Sequence, residues 1–454
     1  MNFRSFPSTV LKMAPTGFVL EPEVDICQSD YPLDWYQAEF VPYAREYQAL
    51  PDRRPETVVP WMRKYLDPAQ KQFGDSLLLL AHYYMGGEIV KLVELFGGKV
   101  ADSYQLALMA HENPDRGLIV ESAVHFMAET IAILAHPHQR VYITNPKSGC
   151  TMEMLAKDYM VAPALDALNS RYGAAEVLPV CYMNTSGRVK ALAGAQGGAV
   201  CTSSNVEAIF RWALVQKKKI FFVPDRHMGE NVAARVGIGP DEIAHWPGGA
   251  KSASFSLEQL PSQERERFDR ARLVLFGSEC GVHTIFEPWM ANYWRAQGYS
   301  VFVHPECPKI VVDAADGFGS TSFLWDQVTR DRAGTRRYAI GTEAHFVSNL
   351  QVVARRNGIE VVHLSAAPPR DGQAPSRGCG CATMSRNDPP HLVALIDLLR
   401  QGRAPDYNEV MPGDVVNEFT GSRERLDAAG RAWLVENARR ALINMIEITK
   451  AAES

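Results

Sequence analysis

The feature that most constrains this chain is internal repetition. One ordered set of landmarks recurs three times at a spacing of roughly a hundred residues or a little more, a domain length rather than a solenoid period. The first landmark is a β-branched or leucine-rich run ending in polar groups: LLLLAHYY to Tyr84, EVLPVCYMN to Asn184 and SVFVHPE to Glu306. Each reads as a buried strand with a functional tip. About fifteen to twenty residues later, after a stretch long enough for a helical crossover, come short hydroxyl tips at Ala101-Asp102-Ser103, Cys201-Thr202-Ser203-Ser204 and Gly319-Ser320-Thr321-Ser322. The third landmark is a strand followed by a histidine-containing turn, at His125, His227 and His345. The fourth is a strand that finishes near a cysteine: VYITNPKSGC at Cys150, ARLVLFGSEC at Cys280, and VVHLSAA followed by a Gly/Pro loop to Cys381.

Alternating short strands and helices predict an α/β fold: three quasi-equivalent three-layer α/β/α domains with parallel sheets, placed around a pseudo-threefold axis with strand tips facing a central active-site cavity. The predicted boundaries are an N-terminal arm over 1–70, domains over 71–150, 151–271 and 272–402, and a C-terminal linker and helix over 403–454. Within these, Glu230 to Arg270 reads as an insertion with its own helix, Gly402 to Thr420 as a linker, and Ser422 to Ile448 as an amphipathic helix that docks back on the body.

Composition narrows the function. The net charge is −5 and charges of both signs are interspersed, so no basic stripe tracks a nucleic-acid backbone. Met1 to Leu20 lacks the apolar core of a signal peptide and no run is long enough to span a bilayer, so a cytoplasmic location without membrane attachment is expected. Eight cysteines in such a chain point to metal ligands, catalysis or buried filling rather than to a disulfide framework. Cys150, Cys280 and Cys381 close the three repeats. A soft trithiolate set with no fourth protein ligand suits an iron–sulfur cluster with one open iron, or a zinc ion with an open position. Cys27, Cys181 and Cys307 read as apolar filling. Cys201 stands at a hydroxyl tip, and Cys379 is an alternate ligand, a redox partner of Cys381 or a spectator. By themselves, the thiols also fit a redox sensor switched through Cys379 and Cys381, or a zinc-dependent aldolase or hydro-lyase.

Eleven short motifs in order, from AHYY at Ala81 to Tyr84 through VHFMAET, the Gly-Cys ending at Cys150, YMNTS, CTSSN, FVPD, CGVH, VHPE, GSTS and GTE to CATMSRN at Cys381 to Asn387, resemble the quinolinate synthase family over about residues 75 to 400. The resemblance implies a [4Fe–4S] cluster with one open iron on Cys150, Cys280 and Cys381, the last favoured over Cys379 by its spacing to Met384 and Asn387. It also implies a reaction, the condensation of iminoaspartate with dihydroxyacetone phosphate to quinolinate for NAD biosynthesis, with loss of phosphate and two waters. An aspartate oxidase or dehydrogenase is the implied supplier of iminoaspartate; monomer and homodimer both stay open. Family substrate and acid–base positions fall on His82, Tyr84, Ser103, Tyr182, Asn184, Ser203, His283, His304, Glu306, Ser320 and Thr321. Met85, Thr284 and the His227-Met228 pair depart from the family pattern.

From the chemistry, ring closure needs several proton donors and acceptors. Glu306 with His304 is the expected base pair, and Tyr84 and Tyr182 the expected acids. His82 shares the repeat position of His304 and is assigned with it to the catalytic group. His283 is expected to orient cluster or substrate without ligating iron. Ser103, Ser203, Ser320 and Thr321 offer hydroxyls beside helix N-terminal amides for phosphate and carboxylates. His125, His227 and His345 are read as structural turn residues.

Overall fold

The computed structural model describes residues 31–217, 219–369, 380–417, 420 and 422–453; Cys27 and Cys379 fall outside the described residues. The chain builds three parallel sheets in succession. The first contains β1 (Leu77–His82), β2 (Lys99–Ala101), β3 (Leu118–Ser122) and β4 (Arg140–Ile143), in the order β2-β1-β3-β4. The second contains β5 (Val177–Tyr182), β6 (Ala199–Cys201), β7 (Lys219–Val223), β8 (Ile243–Pro247) and β9 (Leu273–Gly277), in the order β6-β5-β7-β9-β8. The third contains β10 (Ser300–Val303), β11 (Gly317–Phe318), β12 (Arg337–Gly341) and β13 (Glu360–His363), in the order β11-β10-β12-β13. With β8 set aside as an added edge strand, the three orders are the same, and every pairing within them is parallel. The sequence repeat is therefore a repeat of topology.

The strands behave as their composition requires. β1, β5 and β7 are buried at every position, the condition of a parallel strand covered by helices on both faces. Helices follow each strand tip where a side chain receives the free N-terminal amides: Asp102 accepts from Gln105 N at 3.0 Å, Asp225 from Met228 N at 2.6 Å, Ser320 from Phe323 N at 3.2 Å and Glu343 from Phe346 N at 2.9 Å. Such caps satisfy amides that have no partner inside the helix. His125, His227 and His345 all lie in the first turn of equivalent helices, His125–Leu134, Arg226–Ala233 and Ala344–Arg356.

Several predicted limits shift. β9 lies beyond residue 271 yet hydrogen-bonds to β7 and β8, so the second sheet continues to Gly277. The insertion contributes the edge strand β8 as well as its predicted helix, Ser262–Arg270. The helix Pro55–Phe73 crosses the limit at residue 70 and packs on the helix Pro389–Arg400. Tyr43 and Tyr36 of the arm donate to Asp397 and Asp388 of that helix and its cap, so the arm is pinned by polar contacts, that of Tyr36 buried. The expected linker is partly an added edge: Val410 N donates to Val141 O at 2.8 Å and Asn408 Nδ2 to Ile143 O at 2.9 Å. The C-terminal helix runs over Ala428–Glu453, starting later than Ser422 because Arg423–Glu424 pair with Val415–Val416. It docks on the helix Gly187–Ala195 at Gly194, where any Cβ would collide with the Asn437 carbonyl. Among the described residues no helix is long and apolar enough to cross a membrane.

Candidate active site

The carboxyl ends of the three sheets face one cavity lined by His82, Tyr84, Ser103, Cys150, Tyr182, Asn184, Ser203, Cys280, His283, His304, Glu306, Thr321 and Cys381. These are the predicted residues except Ser320, whose hydroxyl caps the next helix by accepting from Phe323 N at 3.2 Å and keeps its own O–H free of that bond. Cys201 is buried at the end of β6 and is absent from the cavity wall. The hydroxyl tips meet directly: Ser204 and Ser322 donate to Asp102 Oδ2 at 3.0 and 2.6 Å, joining the three repeats through one carboxylate.

Two tips present a histidine in the same way. Tyr84 N donates to His82 Nδ1 at 3.3 Å and Glu306 N donates to His304 Nδ1 at 3.4 Å. An accepting Nδ1 fixes the proton of a neutral ring on Nε2. Burial keeps both rings neutral, lowering His82 to about 4 and His304 to about 3 because a charged imidazole loses its water there. The second domain's tip places Tyr182, whose hydroxyl donates to Glu306 Oε1 at 2.6 Å.

Glu306 is the charged centre. Burial acts to raise its carboxyl, but the His283 and His304 rings and the Tyr182 hydroxyl outweigh it and hold the group down at about 2. Its partners differ from the expected pair: His283 Nδ1 lies 3.0 Å from Oε2, whereas His304 Nδ1 stands 3.9 Å from Oε1. The His283 and His304 rings stack at 4.7 Å. Asp225, buried nearby, is pushed well up by burial and by the charge of Glu306.

Thr342 and Glu343, which in the sequence stand only as letters of the GTE motif, organise this site. Thr342 Oγ1 lies 3.3 Å from the Tyr84 hydroxyl and 3.1 Å from His283 Nε2, linking an acid of the first domain to a ring of the third. Glu343 Oε1 accepts from Cys381 N at 2.9 Å and pairs with His345 Nδ1 at 2.9 Å. A signal was available: Asp225 and Glu343 each stand two residues before the turn histidine, and the Cys280 amide faces Asp225 as the Cys381 amide faces Glu343. Asn387 ties the remaining loops together, donating to Ala123 O and Ser148 Oγ at 2.8 Å and accepting from Thr144 Oγ1 at 2.7 Å.

The three cysteines fit a soft metal centre. Their thiols share the cavity wall, and each of Cys150 and Cys280 feels Cys381 electrostatically. Burial raises all three thiols. Converging buried thiols favour a cation, since thiolates so placed need positive charge in place of water.

Fold and site together define a three-domain α/β protein with a thiol-lined centre at its strand tips. Residues 67–408 match the family model described as Quinolinate synthetase A protein. The chain is 33% identical to the quinolinate synthase of Acidobacterium capsulatum over 376 residues, covering 82% of this chain and 92% of that one. It is 31% identical to that of Corynebacterium glutamicum over 412 residues, 90% and 93% of the two chains, and 35% identical to that of Streptomyces coelicolor over 345 residues, 75% and 82%. The chain belongs to the quinolinate synthase family, a family of NAD biosynthesis.

Proposed function

We propose that this chain condenses iminoaspartate with dihydroxyacetone phosphate to quinolinate, releasing phosphate and two waters, in the cytoplasm. The observation that carries the reading is the convergence of Cys150, Cys280 and Cys381, one from each repeat, on the cavity that also holds Glu306 and the paired histidines. These thiols would hold a [4Fe–4S] cluster with no fourth protein ligand. When bound, such a cluster supplies an open iron that acts as a Lewis acid on an oxygen or nitrogen of the substrate.

The protein's own groups divide the remaining work. Ser103, Ser203 and Thr321 stand at strand-to-helix junctions, where hydroxyls and helix N-terminal amides bind phosphate and carboxylate without adding protein charge. Asn184 adds an amide at the second tip. His82 and His304, neutral with Nε2–H available, donate hydrogen bonds to carbonyl or carboxylate oxygens as these gain charge. Glu306 starts ionised. Held near 2, it is a poor acceptor for a free proton, and it acts best through the Tyr182 hydroxyl that already points at it. Tyr84, buried and raised well above the ordinary phenol range, stays protonated and serves as an acid for a leaving hydroxyl. His283 orients the carboxylate. An aspartate oxidase or dehydrogenase supplies the unstable imine.

The test is anaerobic assay with the two precursors. Wild type forms quinolinate; Cys381→Ala loses both product and cluster while Cys379→Ala keeps the cluster. Absence of quinolinate from a fully iron-loaded wild-type protein removes the reading, and the reverse pattern of the two cysteine variants removes the ligand assignment.

A further inference from the structure

Cys280, His283 and Glu306 bring ligand atoms to within 4.8 Å of one another, and only one of the three is a thiol of the proposed cluster. His283 is 1% exposed, and its Nδ1 has no properly aligned hydrogen-bond partner although Glu306 Oε2 lies 3.0 Å away. The opposite ring nitrogen is engaged, Nε2 sitting 3.1 Å from Thr342 Oγ1. The ring has two tautomers: with the proton on Nδ1 it donates toward Glu306 and helps hold that carboxyl down, and with the proton on Nε2, donated to Thr342, a lone pair on Nδ1 is aimed at the carboxylate. Glu306 is fixed in the same manner, since Tyr182 occupies Oε1 at 2.6 Å and leaves Oε2 facing the ring. A lone pair and a carboxylate oxygen face to face repel unless a proton or a cation sits between them.

We propose that in the chain without its cluster these three side chains bind a single borderline divalent cation of the zinc class through Cys280 Sγ, His283 Nδ1 and Glu306 Oε2, with a fourth position open to the cavity. Tetrahedral bonds of about 2.3 Å to sulfur and about 2.0–2.2 Å to nitrogen and oxygen separate ligand atoms by roughly 3.3–3.6 Å. The observed atoms, within 4.8 Å of one another, must close by at most about 1.5 Å to reach that geometry. Each of the two non-thiol ligands already has an outer partner, Thr342 for the imidazole and Tyr182 for the carboxylate, the arrangement that orients ligands in metal sites. Mixed sulfur, nitrogen and oxygen donors suit zinc or cobalt(II), whereas hard magnesium or calcium would want oxygen alone. Because Cys280 serves both centres, the mononuclear ion and the cluster exclude one another; this last clause alone rests on the function proposed above.

The experiment titrates metal-free, full-length protein with Co²⁺ under anaerobic conditions, followed by Zn²⁺. One equivalent of Co²⁺ should give tetrahedral d–d bands and a thiolate charge-transfer band, and Zn²⁺ should displace it. His283→Ala and Glu306→Gln should each weaken Co²⁺ binding by about 10- to 100-fold, while Cys150→Ala, which breaks only the cluster set, binds as wild type. Unfolding curves of the variants separate loss of a ligand from loss of the fold. Equal Co²⁺ affinity in wild type and His283→Ala overturns the site, as does an equal loss in Cys150→Ala, which would put the ion on the cluster thiols. Reconstitution with Fe²⁺ and sulfide tests exclusion separately: one equivalent of Zn²⁺ should slow it in wild type and not in His283→Ala. Equal slowing in both proteins overturns the exclusion while leaving the Co²⁺ result to stand for the site.

Discussion

The first and third strand tips use one backbone design for different chemistry. At the end of β1 and just after β10, a buried histidine accepts the amide of the second residue on, at 3.3 and 3.4 Å. That second residue is Tyr84 in one domain and Glu306 in the other. Tyr84 reaches Thr342 across the domain boundary, whereas Glu306 collects Tyr182 and His283. The first domain also has a carboxyl just past its tip, Glu88, in the first turn of the helix Gly87–Leu95. Both carboxyls are buried. Glu306 has partners and is held at about 2, while Glu88 has no side-chain partner and is pushed up by burial to about 7. Repetition thus supplies the frame; the residue two past the histidine and the partners it finds set charge and reactivity.

The comparison can be broken in several ways. Glu306→Gln removes the charge that Tyr182 and His283 face, and kcat should fall by about 1,000-fold, within the range of one acid–base group, with iron content unchanged; wild-type turnover would mean that the two tips do not differ in function. Glu88→Gln should act on stability alone. The Glu88 carboxyl is raised from 4.5 to about 7 on folding, so the folded state holds the proton longer than the unfolded chain. Its contribution is intact below pH 4.5 and is lost as pH rises through about 7, at most about 3 kcal/mol. Denaturant unfolding at pH 5 and pH 8 checks this: the glutamine variant should be the more stable protein at pH 8 and show a weaker pH dependence, and parallel curves would refute it. Tyr84→Phe keeps the ring and removes the acid, costing about 100-fold in kcat with KM little changed; a pure KM effect would assign Tyr84 to binding. Thr342→Val frees Tyr84 and His283 together and should cost about tenfold in kcat, with Thr342→Ser restoring it; failure of serine to rescue would make Thr342 a packing residue.

Much of this is legible in the sequence. Strand tips repeat because parallel sheets put functional groups at carboxyl ends, so the apolar runs ending at Tyr84, Asn184 and Glu306 located the cavity. Partners across domains were not legible. Nothing in the local sequence links Thr342 to Tyr84, and His283 rather than His304 stands nearest to Glu306 because a loop after β9 folds over the third sheet's tip. The β8 edge and the pairing of Val410 with β4 were hidden for a similar reason: short segments gain strand character from the edge they meet, not from their own pattern. Ser320 illustrates a residue whose two readings, cap and ligand, share one local signature; the capping bond is formed, and it leaves the hydroxyl proton for a ligand.

The central claim is that one thiol from each repeat holds a common cluster. Iron and acid-labile sulfide, measured per chain after anaerobic purification of the wild type and of the single alanine variants at Cys150, Cys280 and Cys381, test it most directly. The account predicts about four irons and four sulfides in the wild type and loss of the intact cluster in each variant. A variant at any of the three that keeps the full wild-type complement would contradict it.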